Sequence, residues 1–336
     1  MKKNSRLIAQ HSIFVISLCA VLIALCGPAA AQQAGKVFRI GYLDSSTASG
    51  GGVLIDAFRR ELSKLGWIEG KNITIEYRFA EQKSERLPEL AAELVRLKVD
   101  LIFASAPPSA LAAKNATTTI PIVLEGGDLV GLGLVASLAR PGGNTTGVSS
   151  LAPELGTKRL AILKDTVPKL TRVGIFWWPG ARTQQEVQLK ELRPAALALK
   201  LKLDEIETEA NPKSLETAFQ TARQKQVDAI TATAGRSFFA ERKEIVELAS
   251  KYRIPAIYPQ KEFVDDGGLM SYGADYEDLF RRSAHYVDKI LKGAKPADLP
   301  VQQATKFEFI VNLKAAKQIG LSIPVRVLER ANQVIK

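Results

Sequence analysis

The residues best placed to do chemistry sit where short apolar runs break into small polar loops. Residues 99–114 read VDLIFASAPPSALAAK. Val99, Leu101, Ile102 and Phe103 suit one buried strand. Ser105-Ala106-Pro107 follows as a small-residue loop, Ser109 is the expected N-cap, and Ala110 to Lys114 are strong helix formers. A strand that delivers such a loop to a helix start can present free N–H groups and a helix dipole to a carboxylate or phosphate. Asp44-Ser45-Ser46 ends another apolar run, VFRIGYL, and opens a Ser/Thr/Gly loop to Gly52. Glu125-Gly126-Gly127-Asp128 makes a turn after IPIVL. Trp177 and Trp178 end a run that begins at Arg172, and an aromatic there can stack on a planar ligand. Tyr258 and Tyr272 occupy similar strand-end positions, and each hydroxyl needs a partner if buried.

The same inventory excludes much. Cys19 and Cys26 are the only cysteines, and both lie in an N-terminal stretch that reads as an export signal. Lys2, Lys3 and Arg6 precede an apolar run from Ile13 to Leu25, and Ala29-Ala30-Ala31 offers small residues for cleavage. Residues 1–31 are therefore the expected signal peptide, and the periplasm the expected compartment. Cys26 leaves a lipid-anchored alternative open, although Leu25 is a poor residue before it. An uncleaved anchor is a second alternative. Beyond the signal there is no cysteine and one histidine, His285, which argues against a thiolate nucleophile, a disulfide or a zinc or copper centre. No metal or cofactor is expected.

Gly131-Leu132-Gly133-Leu134-Val135-Ala136 formally fits a dinucleotide fingerprint, but the apolar run before it ends at Leu124. No P-loop and no G-x-S-x-G occurs. The chain has 46 basic and 35 acidic residues. Without Lys2, Lys3 and Arg6, 43 bases face 35 acids and +8 remains. The bases are scattered, with no aromatic-interleaved cluster, so no nucleic-acid partner is expected.

The elements that must position these residues recur. Arg39-Ile-Gly-Tyr-Leu, Val99-Asp-Leu-Ile and Ile120-Pro-Ile-Val return in the same order as Arg172-Val-Gly-Ile-Phe, Val227-Asp-Ala-Ile and Ile254-Pro-Ala-Ile. Helices are expected over residues 53–65, 84–97, 129–138, 185–199, 212–224, 237–252, 276–291 and 313–319, with Pro194 interrupting the fourth. Further strands are expected over 72–79, 145–149, 201–206, 269–272 and 307–311. Such a duplication fits two βαβ lobes better than one long sheet. The later segments can return the chain to each lobe in turn. The expected fold is α/β, with two doubly wound lobes, a ligand cleft between them and a hinge of several strands. The expected division is 32–147 with 273–300 for one lobe and 148–272 with 301–336 for the other.

Nearly the whole chain after the signal resembles the ABC-transporter substrate-binding family whose better-known members take up tryptophan or tyrosine. The likeness rests on LGWIEGKNITIEYRFA (65–80), RLPELAAELVRLKVDLI (86–102), GLVASLARPGGNTTG (133–147), FFAERKEI (238–245), GGLMSYG (267–273), YVDKILKGAKPADLPV (286–301) and FEFIVNLKAAKQIGLSIP (307–324), in that order. The resemblance implies a type I periplasmic-binding-protein fold with a three-strand hinge, closure of two lobes on a small-molecule ligand, and partnership with an ABC permease and its ATPase. A monomer suits that mechanism. It places the ligand among strand-end loops, here Asp44, Ser45, Ser46, Ser105, Ala106, Pro107, Gly127, Asp128, Thr233, Ala234, Tyr258, Tyr272 and Gly273, with Trp178 beside them. Relatives carry Asn-Pro where this chain has Trp177-Trp178-Pro179, so the pocket wall is expected to be larger here. The expected ligand is a small carboxylate-bearing solute, an amino acid or an aromatic compound. The residue inventory also leaves open a sensing partner of a membrane receptor and, with less support, an α/β enzyme.

Overall fold

The computed structural model describes residues 36–336, so the signal-peptide reading lies outside the described residues. The first six-stranded sheet contains β1 (Phe38–Asp44), β2 (Ile73–Phe79), β3 (Leu101–Ala104), β4 (Ile122–Gly126), β5 (Thr145–Ser149) and β11 (Gln302–Gln303). Their order is β11-β5-β4-β3-β1-β2, all parallel. The second sheet contains β6 (Arg172–Trp177), β7 (Lys202–Glu207), β8 (Ala229–Ala232), β9 (Ala256–Tyr258), β10 (Met270–Ala274), β12 (Phe307–Asn312) and β13 (Gln333–Ile335). Its order is β13-β12-β10-β9-β8-β6-β7, parallel except where β10 meets β12.

Helices cover both faces of each sheet, as parallel sheets require. In the first lobe these are α1 (Ala48–Lys64), α2 (Leu87–Arg96) and α3 (Pro107–Ala116). In the second they are α4 (Ala152–Thr166), α5 (Arg182–Ala198), α6 (Pro212–Gln224), α7 (Arg236–Ala240), α8 (Arg242–Lys251) and α9 (Glu262–Asp265). Helix α10 (Tyr276–Leu291) packs back on α1. Two short helices, α11 (Leu313–Ile319) and α12 (Val325–Leu328), close the chain. The chain therefore passes between the sheets three times: from β5 to α4, from β10 to α10, and from β11 to β12. This is the α/β architecture of two parallel-sheet lobes that the repeat implied.

The repeat is physical as well as textual. Asp100 Oδ2 accepts the Arg39 amide at 2.8 Å, and Asp228 Oδ2 accepts the Arg172 amide at 2.9 Å. Lys98 and Gln226, two residues before each aspartate, both take a left-handed conformation, with φ of 51° and 53°. The Ile102 amide bonds the Pro121 carbonyl and the Ile230 amide bonds the Pro255 carbonyl, both at 2.9 Å. Both lobes thus stitch the starts of their central strands together in the same way.

Several elements differ from expectation. Residues 129–138 form turns, not a helix. Gly133 has φ of +66°, and the Asp128 carboxylate accepts the Gly131 amide at 2.8 Å, so local bonds replace the helical ladder. Helix α3 begins at Pro107 with Ala106 as N-cap, not at Ser109. Pro107 and Pro108 have no N–H, so this helix start offers fewer donors than its sequence position suggested. Helix α1 starts at Ala48, five residues earlier than expected, because the Thr47 side chain caps it through the Gly50 amide at 3.0 Å. The helix expected over 237–252 is two, α7 and α8, parting at Glu241. Helix α5 runs through Pro194 without interruption. Trp177 and Trp178 are both buried, one in each core layer, because the sheet is covered on both faces.

Candidate functional site

The carboxyl ends of the two sheets face each other, which is where ligands collect in open α/β folds. Asp44 ends β1. Its Oδ1 accepts the Ser46 amide at 2.8 Å and the Ser46 hydroxyl at 2.9 Å, both from its own lobe. Its Oδ2 accepts Arg236 Nη2 at 2.9 Å and Nε at 3.2 Å, both from the other lobe. Both side chains are almost wholly buried, at 0% and 3% exposure. Burial alone would raise the Asp44 pKa, but the Arg236 guanidinium and the Ser46 amide hold it below the usual carboxylate value. Burial works against the guanidinium too, and Asp44 keeps it fully charged.

Arg236 reaches this position because β8 ends at Ala232 and the segment Thr233-Ala234-Gly235 carries the chain towards the first lobe. Its guanidinium lies 5.2 Å from the Phe239 ring centre and 5.6 Å from that of Phe280 on α10. Nη1 is buried and has no hydrogen-bond partner.

Nη1 belongs to a residue that lines a small cavity of about 20 Å3 between the lobes. The first lobe contributes Ala106, Pro107 and Glu125 to Gly127. The second contributes Gln184, Ala234 to Arg236 and Gln260, and the passages between lobes supply Ser150, Ala152 and Tyr276. Glu125 lies one residue before the end of β4, is buried, and leaves Oε1 unpartnered. Burial raises its carboxyl to about 8, against the pull of Arg236. Gln260 Oε1 is likewise buried and unpartnered. Buried polar atoms are satisfied in most proteins, so these three unpartnered atoms make the cavity the candidate place for another molecule. The space holds about one water. A larger guest must enter while the lobes stand apart.

A second, open groove of about 410 Å3 adjoins the cavity, and Pro107 and Gln184 line both. Its walls are largely apolar, with Leu87, Pro108 and Leu111 from the first lobe facing Pro179 to Ala181 from the second.

The expected residues divide into groups. Asp44, Ser46, Ala106, Pro107, Gly127 and Ala234 stand at the cavity or hold Arg236 at it. Ser45 is buried beside them. Ser105 and Thr233 are matched residues that brace the scaffold. The Ser105 hydroxyl donates to the Leu43 carbonyl at 3.5 Å and that of Thr233 to the Phe176 carbonyl at 3.3 Å. The others are placed elsewhere. Asp128 turns to Gly131, and Trp178 packs in the core with Nε1 donating to Glu209 at 2.9 Å. Tyr258 stacks on Phe263 at 4.7 Å and lines a different cavity with Val246 and Ile319. The Tyr272 ring sits edge-on to Phe309, and the Gly273 backbone lies against the Pro259 carbonyl, where a Cβ would come within 1.8 Å. Arg236, Glu125 and Gln260 were not singled out in the sequence. A signal for Arg236 was present: extending the VDLI/VDAI match sets Ser105-Ala106-Pro107-Pro108 against Thr233-Ala234-Gly235-Arg236.

The comparisons agree with this geometry. Residues 52–335 match the family described as ABC transporter substrate binding protein. A tyrosine-binding protein of Clostridioides difficile strain R20291 is 28% identical over 265 residues, which span 79% of this chain and 75% of that protein. A Streptococcus pneumoniae ABC domain solved in complex with L-Trp is 25% identical, with a TM-score of 0.80 over 89% of this chain and 99% of that one. A substrate-binding protein with adhesive properties from Clostridium difficile, solved ligand-free and open, is 27% identical over the same shares but has a TM-score of 0.61. Identity is nearly equal in the last two, and this chain superposes better on the L-Trp complex than on the open, ligand-free protein. The chain belongs to the ABC transporter substrate-binding protein family.

Proposed function

We propose that this chain is the periplasmic solute-capturing component of an ABC importer, and that it takes a small carboxylate-bearing solute, an amino acid or an aromatic compound, by closure of its two lobes. It delivers that solute to a permease and its ATPase, and it works by binding and release without turnover. The observation that carries this reading is the unpartnered Arg236 Nη1 at the interlobe cavity. A carboxylate supplies the acceptor it lacks, with charge assistance on both sides. Glu125 Oε1 supplies an acceptor for an ammonium group, and a bound ammonium would draw its carboxyl back below about 8. The pair suits a zwitterion. The adjoining apolar groove gives room for the body of such a solute beside Pro107. The tyrosine and L-Trp named for the two relatives have this chemistry. Among the described residues no helix is long and apolar enough to cross a membrane, which suits the periplasmic reading.

A thermal-shift panel tests the proposal. A ligand at a hundredfold excess over its Kd stabilises the closed form by about 2.7 kcal/mol. L-tyrosine or L-tryptophan is expected to raise the melting temperature, and tyramine and tryptamine, which lack the carboxylate, are not. A flat panel across amino acids and aromatic acids would overturn the reading.

A further inference from the structure

We propose that Asp44 is a positioning residue that crosses the cleft: it draws Arg236 out of the second lobe, fixes Nη1 on the cavity, and holds the lobes together before any ligand arrives. The role assigned to Nη1 rests on the carboxylate reading above; the self-closure does not.

The two partners lie 192 positions apart and on different sheets, so nothing local brings them together. Asp44 Oδ1 is satisfied within its own lobe by Ser46. With Arg236 set aside, Oδ2 keeps a long contact from the Tyr42 hydroxyl, at 3.4 Å, and the Ser105 hydroxyl also bonds this carboxylate. The carboxylate is thus held in place with one oxygen turned to the other lobe. The first lobe adds the Phe280 ring, which Phe103 holds edge-on at 5.5 Å. The first lobe thus supplies the carboxylate and one ring of the slot that receives Arg236, and Phe239 of the second lobe supplies the other ring.

Room for the approach comes from glycine. A Cβ on Gly51 would stand 2.6 Å from Arg236 Nη2, and one on Gly50 would stand 2.4 Å from the Ala240 Cβ of the second lobe. Two more bonds run along the same seam. Gln82 Nε2 donates to Glu241 at 2.7 Å, and Arg242 Nη1 donates to the Gly50 carbonyl at 3.3 Å. With the Asp44–Arg236 pair, these contacts run across the seam between the chain's own groups.

A buried ion pair adds little net stability, because desolvation offsets most of the attraction. Loss of one partner is different, since it strands a charge in the closed form. The pair therefore lets the lobes close at little net cost, and removal of either partner makes closure unfavourable.

The experiment is small-angle scattering of the ligand-free protein as wild type, Asp44→Asn and Gly51→Ala. Gly51 lies in a helix at ordinary φ and its nearest own-lobe neighbour is the Ile55 methyl at 3.2 Å, so alanine asks that methyl to give by a few tenths of an ångström and displaces chiefly the guanidinium at 2.6 Å. The wild type is expected to scatter as the closed structure, and both variants as larger particles with cooperative melting retained. If the closed fraction falls to a tenth, the apparent Kd for L-tryptophan rises about tenfold. Should Asp44→Asn fail to fold, Gly51→Ala decides. Variants with the wild-type scattering curve, or a wild type as open as the variants, would overturn the proposal. A wild type that closes by itself yet ignores every amino acid would leave self-closure standing and remove the carboxylate reading.

Discussion

The turn after β3 and the turn after β8 begin as copies of each other and end as opposites. Up to Ser105 and Thr233 they share buried hydroxyls, and their amides reach the neighbouring strand's carbonyl at 3.1 and 3.0 Å. Three residues on, the first lobe has Pro108 and the second has Arg236. The proline helps to start a ten-residue helix and leaves the cleft apolar. The arginine crosses into the other lobe and meets Asp44, which ends β1 where the matching strand β6 ends in Trp177. The lesson is a division of labour along the strands. Their amino ends carry the duplicated scaffold, and their carboxyl ends carry the differences that make a charged site.

That contrast can be broken most sharply at its two ends. Arg236→Leu should abolish amino-acid binding to the limit of calorimetry, a loss of about 3 kcal/mol or more, since a buried charge contact disappears and Asp44 is left alone. Pro108→Ala, at the matching place in the first lobe, should change the affinity by less than about threefold and stability by less than about 1 kcal/mol. Equal losses from the two would mean that the lobes share the site evenly.

The shared scaffold predicts the reverse pattern. Asp100→Ala and Asp228→Ala should each lower stability in urea melts by about 1–2 kcal/mol, because each leaves strand-start amides without their acceptor. Neither should alter the Kd of the folded protein. For Asp228, partial burial raises its pKa, but the Thr171 and Arg172 amides more than offset that and hold it low. Its contribution is therefore present above the unfolded carboxylate value and fades as pH falls through the lower folded value. Stability of Asp228→Ala should approach that of the wild type in acid.

Glu125 should give a signal of opposite sign, read as a pH slope. Its folded value of about 8 lies above the ordinary carboxylate value, so the closed protein holds a proton that the unfolded chain releases. Stability of the ligand-free closed form should fall as pH rises from about 5 to about 8, by at most about 1.4 kcal/mol per pH unit. Glu125→Gln should flatten that slope in melts run across this range. An unchanged slope would place the titration on another group.

The two-lobe architecture was legible because the duplicated motifs sit at strand starts, where Asp100 and Asp228 perform the same bonding. The site was legible only in part. Asp44 and the loop at Ser105 stood out because small polar residues after an apolar run are a local pattern. Arg236 did not, since what makes it special is burial against Asp44 and Phe280, both far away in sequence. Glu125 read as part of a turn with Gly126, Gly127 and Asp128. In the structure the strand runs on through Gly126, which buries Glu125 and sends Asp128 outward to cap Gly131. The missing helix over 129–138 has a related cause. Leu129, Leu134 and Val135 do face a core, but glycines at 131 and 133 let that face form from turns.

The most direct test is a crystal structure with the amino acid that gives the largest thermal shift. The account predicts a ligand carboxylate oxygen within hydrogen-bond distance of Arg236 Nη1, with Nε and Nη2 still on Asp44. A carboxylate bound elsewhere, with Arg236 turned to solvent, would contradict it.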